Sequence, residues 1–138
     1  MAAKEQKEQI ISGRRKTAVA KLRMKDGTGN IFYNGMPHTE LNLFHKLALS
    51  EPVRIYEQVL GELKNDLYIT TMGGGREGQI QAARLAIAKA LVQLSGSDVL
   101  KKYYISYDRN MLVQDSRRKE ARKPGDSKAR AKRQKSYR

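Results

Sequence analysis

The chain has 138 residues and a formal net charge of +14, with 28 Lys or Arg against 14 Asp or Glu. This length fits one compact domain with tails, and the absence of Cys excludes a disulfide framework and a thiolate metal site. No apolar run approaches the roughly 18 residues that span a bilayer, and Met1–Ile10 is too polar for a signal peptide. The sequence therefore predicts a soluble intracellular protein.

Three regions are predicted along the chain. Residues 1–11 are expected to form a flexible leader, because most of them are polar and they show no apolar face. Residues 12–116 have the alternating and helical patterns of a globular domain that combines strands and helices. Residues 117–138 are expected to form an extended basic tail. No internal repeat is present.

A hairpin is predicted near the start of the domain. In Thr17–Met24, Lys21 and Arg23 alternate with apolar residues, and this period of two is typical of a half-buried strand. Asp26–Gly29 has the composition of a turn, and Ile31–Tyr33 follows as a second strand. We expect these two strands to pair with each other.

Two helices separated by a break are predicted next. The first begins near Thr39, and the second begins at Ser50, which is expected to cap its N-terminus with Pro52 in the first turn. Apolar residues at spacings of three and four define the predicted buried faces. These residues are Leu41, Phe44, Leu47 and Ala48 in the first helix, and Val53, Tyr56, Val59 and Leu60 in the second.

A third strand and the strongest helix follow. Leu67–Met72 is rich in β-branched and aromatic residues, which favours a strand. A helix is predicted from about Gln79 to Leu94, ended by Ser95 and Gly96. Its predicted buried stripe consists of Ile80, Ala83, Ile87, Ala90, Leu91 and Leu94.

The last part of the domain is less regular. Asp98–Tyr107 is predicted to be a short helix, although Tyr103–Tyr107 also has strand propensity. Met111–Val113 is expected to pack onto the core. Asp115 and Ser116 then open the tail.

Residues 73–78 match the pattern G-x-G-x-x-G, and Asp98 follows Gly78 by twenty residues, as in dinucleotide-binding proteins. The position of the pattern argues against that function, because it should lie in an early strand–helix–strand unit of a parallel sheet. Two other interpretations are compatible with each other. The glycines could form a tight turn with a close backbone crossing, and the amides at the helix start could hold an RNA phosphate together with Arg76. A dinucleotide-binding protein stays the alternative function.

No catalytic or metal site is predicted. His38 and His45 are the only histidines, and neither has a second ligand at metal-binding spacing. Ser12, Ser50 and Ser95 lie at predicted turn or cap positions, and no pairing of a nucleophile with a base stands out. We therefore expect a protein that is not an enzyme and that binds no cofactor.

The excess positive charge lies at the two ends of the chain. Residues 1–23 carry +5, residues 24–116 are neutral, and residues 117–138 carry +9 from eleven Lys or Arg and two acidic residues. This division favours a neutral domain with two basic arms. The tail has too little apolar bulk to fold alone, and nucleic-acid phosphates are the common partner that would order it.

RNA is favoured among the anionic partners. In the tail Arg outnumbers Lys by six to five, and Tyr137 offers a stacking surface beside Arg138, which suits RNA. DNA stays an alternative, because no known nucleic-acid-binding module identifies the polymer. A membrane is disfavoured, since the tail has no apolar stripe and no lipidation motif. A merely solubilising tail is the remaining possibility.

Three separated segments resemble one family in their order and spacing. They are Gly13–Ala18, Gly73–Gly75 with Gly78 and Gln79 leading into Ala86–Leu91, and Asp115–Glu120 with Lys128–Arg130. Together they resemble ribosomal protein nine of the small subunit, and the resemblance runs from about Ser12 to Arg138. The ending Gln134–Arg138 is similar to that of archaeal and eukaryotic members.

The resemblance implies a fold, a location and partners. The implied fold is α+β, with a small sheet packed against helices, a left-handed β-α-β crossover as in the second domain of small-subunit ribosomal protein five, and an extended basic C-terminal tail. The domain is expected to dock on rRNA of the subunit head in the cytoplasm, beside neighbouring small-subunit proteins. The tail is expected to thread through rRNA towards the peptidyl-site tRNA.

The candidate binding residues are almost all cationic, as contact with phosphates requires. Those expected to bind rRNA are Arg14, Arg15, Lys16, Arg76, Arg117, Arg118, Lys119, Arg122, Lys123, Lys128, Arg130, Lys132 and Arg133. Those expected to approach tRNA are Lys135, Tyr137 and Arg138.

Overall fold

A computed structural model describes residues 9–137 of the chain. This part contains one five-stranded sheet and three α-helices, which confirms a mixed α+β fold. In chain order the elements are β1 (Ile10–Arg15), β2 (Ala18–Asp26), β3 (Ile31–Tyr33), β4 (Met36–Pro37), α1 (Leu43–Leu60), β5 (Asn65–Met72), α2 (Arg76–Ser95) and α3 (Asp98–Tyr107). Short 3-10 turns lie at His38–Glu40 and Arg109–Met111.

The order of strands in the sheet is β1-β2-β5-β3-β4. Strand β2 pairs antiparallel with both β1 and β5, and β3 pairs antiparallel with β4. The neighbours β3 and β5 are parallel, so they form a β-α-β unit with α1 as its connection. The left hand of this connection stays a prediction.

The predicted hairpin between β2 and β3 is wrong, because β5 lies between these strands. The hairpin partner of β2 is instead β1, joined to it by a turn at Lys16 and Thr17. Strand β1 escaped detection because one of its inward positions is Gly13, which breaks the apolar alternation. The strand begins at Ile10, so Ile10 and Ile11 belong to the sheet although they were assigned to the leader.

The helix α2 lies at the centre of the fold and is buried on several sides. The predicted stripe is buried except for Leu94, which is 40% exposed, and Ala82, Leu85, Ala86 and Ala88 are buried as well. Small residues allow α2 to lie very close to the sheet. A Cβ atom at Gly13 would overlap the carbonyl oxygen of Ala82 and would lie 2.8 Å from the amide nitrogen of Ala86. The helix begins at Arg76, three residues earlier than predicted.

The predicted break at Ser50 is wrong, because α1 runs without interruption from Leu43 to Leu60. The Ser50 hydroxyl donates to the carbonyl of Leu47 at 3.0 Å instead of capping a new helix. Pro52 is buried, and its carbonyl accepts a 2.6 Å hydrogen bond from the hydroxyl of Tyr104. This hydrogen bond joins α1 to α3 at the buried proline. It does not replace the backbone bond that Pro52, which lacks an N–H, cannot donate to the carbonyl of Ala48.

The buried face of α1 also differs from the prediction. The side chains of Phe44, Leu47 and Leu60 are 76%, 42% and 45% exposed. The fully or nearly buried residues of the helix are Leu49, Pro52 and Val53, so the prediction is confirmed for Val53. The predicted residues that are partly buried and pack against the core are Leu41, Ala48, Tyr56 and Val59. Because a single continuous helix has one angular register, the core face that includes Val53 and Tyr56 leaves Phe44 and Leu47 of the first predicted face on the exposed side.

The predicted helix at Asp98–Tyr107 and the buried contact of Met111 are both confirmed. Ser97 caps α3 by accepting a hydrogen bond from the Leu100 amide at 3.4 Å. Burial raises the pKa of the Tyr104 hydroxyl, which is consistent with its role as a neutral donor to Pro52. No helix in the described part of the chain is long and apolar enough to cross a membrane.

The close approach of α2 to β1 predicts that a methyl group added at Gly13 destabilises the fold. Gly13→Ala is expected to lower the free energy of unfolding by about 1–3 kcal/mol, because the new Cβ atom meets helix backbone that cannot move aside. Ser12→Ala is the matched control on the same strand, where the side chain is exposed, and a change within about 0.5 kcal/mol is expected. Urea denaturation of the full chain measures both, and equal stabilities would contradict the close packing.

Candidate nucleic-acid interface

The turn between β1 and β2 carries the first cluster of cations. We call Arg14–Thr17 the basic turn. Arg14 and Lys16 are exposed, and Arg15 is half-buried. Lys16 has a backbone φ of 54°, a left-handed conformation that residues other than Gly, Asn and Asp seldom adopt. A charged residue therefore occupies a position where glycine would fit with less strain.

The glycine segment packs directly against the basic turn. Gly73 and Gly74 have positive φ values of 72° and 64°. A Cβ atom at Gly73 would lie 2.8 Å from the carbonyl oxygen of Thr17, and one at Gly74 would lie 2.9 Å from the Cβ of Ala18. The prediction of a tight turn with a close backbone crossing is confirmed, and it explains these two glycines without a ligand.

The dinucleotide-binding alternative is not supported by this architecture. The segment follows β5, which is antiparallel to β2, and no strand follows α2 in the described part of the chain. The third glycine of the pattern, Gly78, lies inside the first turn of α2, where an added Cβ would make only ordinary contacts. The fingerprint requires a strand–helix–strand unit of a parallel sheet, and that unit is absent at this position.

The basic turn, the glycine segment and the start of α2 enclose a shallow cleft of about 400 Å³. Arg15, Lys16 and Arg76 line it, so three of the predicted binding residues come together. The first turn of α2 adds partial positive charge from its unpaired backbone amides, and no side chain caps them. Glu77 also lines the cleft, but its carboxylate lies 2.7 Å from Nε2 of His45 on α1. This arrangement can bind an anionic group such as a phosphate.

The tail begins on the same basic turn. Oδ2 of Asp115 accepts from Nη1 of Arg15 at 2.5 Å and from Nη2 of Arg117 at 2.7 Å, and Oδ1 accepts from the Arg117 amide at 2.9 Å. A guanidinium nitrogen of Arg118 donates to the carbonyl of Lys16. We call Asp115, Arg117 and Arg118 the tail base. The structure thus brings the predicted residues Arg117 and Arg118 to the predicted residues Arg15 and Lys16.

Asp115 is a functional candidate that the sequence reading missed. Its side chain is 10% exposed, whereas that of Arg117 is 76% exposed. Hydrogen bonds from the side chain and backbone of Arg117, with the nearby charges of Arg117 and Arg15, hold the pKa of Asp115 below its usual range. In the sequence, the feature that could have indicated this role is the position of Asp115 just before the cations Arg117, Arg118 and Lys119.

The rest of the tail, through residue 137, has no helix or strand. Arg130 forms an ion pair with Glu120 at 2.7 Å, and the amide of Arg133 donates to Asp126 at 3.0 Å. The other candidate residues of this segment are exposed and lie away from the cleft; they are Lys119, Arg122, Lys123, Lys128, Lys132, Lys135 and Tyr137. Arg138 lies outside the described residues.

Residues 9–137 contain no group of three or more His, Asp or Glu that could hold a metal ion. A mixed α+β domain that gathers cations at one end of its sheet, and that continues into a basic extension, has the charge distribution typical of nucleic-acid-binding proteins.

Comparison with known proteins identifies the family. The sequence model of the family described as ribosomal protein S9/S16 matches residues 13–138. The small ribosomal subunit protein uS9 of Methanothrix thermoacetophila is 40% identical over 128 residues, which cover 92% of this chain and 96% of that protein. The proteins of the same name from Methanococcus vannielii and Methanococcus maripaludis are 40% and 42% identical, each over 129 residues that cover 91% of this chain and 95% of the relative.

The chain therefore belongs to the ribosomal protein S9/S16 family. This membership confirms the resemblance drawn from the three sequence segments. The family consists of ribosomal structural proteins and is not enzymatic, which agrees with the prediction that the chain is not an enzyme.

The tail base predicts a local effect of neutralising Asp115. Asp115→Asn keeps an acceptor for the Arg117 amide but removes the charge that Arg15 and Arg117 share. We expect faster amide hydrogen exchange over residues 113–119 in the full chain at pH 7, measured by mass spectrometry. Asp126→Asn, which lies further along the tail, is the matched control and should leave this segment unchanged. Equal protection in the Asp115 variant and the wild type would contradict the anchoring role.

The same contact has a predictable pH dependence. A carboxyl whose folded pKa is lowered contributes stability above its unfolded pKa, near 3.9, and this contribution is lost as the pH falls through the lower folded value. Exchange protection at residues 113–119 is therefore expected to persist at pH 4. In the Asp115→Asn variant the weaker protection should not depend on pH between 4 and 7.

Proposed function

We propose that this chain is a structural constituent of the small ribosomal subunit in the cytoplasm, where it binds rRNA of the subunit head and extends its tail towards the peptidyl-site tRNA. Family membership supports the ribosomal location. The convergence of the basic turn, Arg76 and the tail base at one end of the sheet carries the proposal of RNA binding. Like charges gathered in this way repel one another, and an anion that binds beside them lowers this repulsion further than Asp115 does alone.

The cleft and the tail base are proposed to be the rRNA contact of the folded domain. Arg15, Lys16 and Arg76 approach phosphates at the cleft. Arg14, which is exposed on β1 and shares a small depression with Arg15 and Asp115, is proposed to contact the same RNA. Each phosphate neutralised by Lys or Arg releases condensed counterions, so the binding weakens steeply as salt rises. Arg117 and Arg118 then direct the tail onto the same RNA, and Lys119, Arg122, Lys123, Lys128, Arg130, Lys132 and Arg133 continue the contact.

The end of the tail is proposed to reach the tRNA. From Asp115 an extended chain of about 23 residues can span roughly 75 Å, at about 3.3 Å per residue. Lys135 and Tyr137 are exposed in the structure, with Tyr137 88% exposed, so both are accessible to a phosphate or a base. Arg138 is proposed to join them. The left-handed crossover and contacts with neighbouring small-subunit proteins, both implied by the family resemblance, complete the proposal.

Removing the charge of Arg76 tests the cleft. Arg76→Ala is expected to reduce the slope of log K against log salt by about 0.7–0.9 for a fragment of the small-subunit head rRNA, since one phosphate contact is lost. The thermal midpoint should stay unchanged, because Arg76 is exposed. Arg54→Ala on α1 removes an exposed cation outside the cleft and is the control. An unchanged salt slope in the Arg76 variant would leave the glycine turn with a structural role only.

Removing the end of the tail tests the tRNA contact. Subunits assembled with a chain that lacks residues 132–138 are expected to form normally and to bind peptidyl-site tRNA more weakly, because four cations and Tyr137 are lost. A chain with the same seven residues in scrambled order keeps the charge and serves as the control for position. Equilibrium tRNA binding by purified subunits is the measurement. Equal tRNA affinity of truncated and intact subunits would refute the proposed reach of the tail.

A further inference from the structure

A second cavity lies between the start of α1 and the start of α2, beside the cleft, and has a volume of about 400 Å³. We call it the α1–α2 pocket; its lining includes Met36, Glu40, Leu41, Asn42, Arg76 and Ile80. Arg76 is the only one of these residues in the predicted binding set. It also lines the cleft, so the two cavities meet at its side chain.

The position of the α1–α2 pocket follows from the parallel pair of strands. The neighbours β3 and β5 are parallel, so the segments that follow them leave the sheet at the same edge. Strand β3 leads through β4 into α1, and β5 leads into α2. Crevices at the carboxyl ends of parallel strands are common sites for ligands.

Hydrogen bonds hold one wall of the pocket in place. The side chain of Asn34 accepts from the Thr71 amide at 2.9 Å and donates to the Thr71 hydroxyl at 3.0 Å. Nε2 of Gln79 donates to the carbonyl of Gly73 at 2.9 Å. Because Asn34 and Gln79 both line the pocket, this wall is formed before any ligand binds.

Apolar side chains and a ring provide flat contact surfaces. Ile80 is 3% exposed, Leu41 is partly buried against the core, and Met36 is 48% exposed. The side chain of His45 also lines the pocket, and its Nε2 lies 2.7 Å from the carboxylate of Glu77. Aromatic rings, guanidinium groups and apolar side chains suit the faces of an unpaired base.

Two polar side chains of the pocket have hydrogen-bonding capacity that the domain does not use. Asn42 is the N-cap residue of α1, but its side chain makes no capping hydrogen bond. Glu40 is exposed, and its carboxylate has no partner within residues 9–137. A carboxylate only accepts hydrogen bonds and repels phosphates, so Glu40 favours a ligand edge that presents donors.

Guanine is the RNA base whose edge meets this requirement. Its N1–H and its N2 amino group are adjacent donors, and one carboxylate can accept from both. Adenine and cytosine present an acceptor next to their amino group. Uracil has a single N–H between two carbonyls. The carboxylate of Glu40 therefore discriminates among the four bases.

We propose that the α1–α2 pocket binds the base of an unpaired guanosine of the rRNA, with Glu40 accepting from N1–H and N2. Because Arg76 lines both cavities, a phosphate next to that base lies in the cleft. The proposal rests on the proposed RNA-binding function and adds recognition of a base to the phosphate contacts.

Neutralising Glu40 separates base recognition from general electrostatics. If only charge mattered, loss of a carboxylate near a polyanion would strengthen binding. With the full chain and the head rRNA fragment, Glu40→Gln is expected instead to weaken binding about tenfold, because the base loses a charged acceptor. Glu57→Gln removes an exposed carboxylate of α1 outside the pocket and is the matched control, with no weakening expected. Both positions are exposed, so both variants should keep the thermal midpoint of the wild type.

Chemical probing of the RNA identifies the base. Kethoxal reacts with N1 and N2 of unpaired guanines, the two atoms that Glu40 is proposed to contact. At saturating protein, one guanine of the head rRNA fragment is expected to be protected by the wild type and by Glu57→Gln, and to react with kethoxal in the complex with Glu40→Gln. The proposal would be overturned if no guanine lost protection in the Glu40 variant, or if this variant bound as tightly as its control.

The Arg76→Ala variant separates this proposal from the proposed function. A reduced salt slope for Arg76→Ala, together with a Glu40 variant that matches its control, would overturn guanine binding and leave the proposed function standing. If the wild-type chain did not prefer the head rRNA fragment over an unrelated RNA of equal length at any salt concentration, the proposed function would fail as well.

Discussion

The architecture depends on how closely α2 lies against β1 and β2. Gly13 faces the backbone of Ala82 and Ala86, and no larger residue fits between the strand and the helix. This close packing holds α2 against the two strands, and its first residue, Arg76, lines the cleft beside the basic turn. Gly73 and Gly74 meet the turn in the same way. The glycines thus have a packing role. The close contacts that they allow bring cations from separate parts of the chain together at one end of the sheet.

Gathering those cations has an electrostatic cost, and the structure offsets it at one point. Asp115 accepts hydrogen bonds from both Arg15 and Arg117, and its side chain is only 10% exposed. Arg118 adds a contact to the carbonyl of Lys16, a residue held in a left-handed conformation. One carboxylate among several cations reduces their repulsion but leaves an excess positive charge. A surface of this kind attracts polyanions.

The elements that the sequence predicted correctly are those whose own apolar pattern identifies them. The strand at Leu67–Met72, the central helix and the helix at Asp98–Tyr107 are present because their apolar patterns are regular. Strand β1 was missed because Gly13 gives no apolar signal, although its lack of a side chain is what the packing needs. Helix α1 continues through Pro52, and its packing there includes a hydrogen bond from Tyr104, which is 52 residues away and has no local signal. The pairing of Asp115 with Arg15 spans 100 residues and has no local signature.

The start of the tail is held more firmly than the segment that follows it, and this difference matters for the proposed function. The pair of Arg130 and Glu120 is 87% and 54% exposed, so water and salt screen it and it holds the chain weakly. Asp115 is shielded by the domain and by Arg117, so the origin of the tail is fixed on the basic turn. In the proposed complex, an RNA phosphate replaces Glu120 as the partner of Arg130. A fixed origin followed by a weakly held segment is what the proposed function requires, since the tail must then adapt to an RNA path while the domain keeps its own contact.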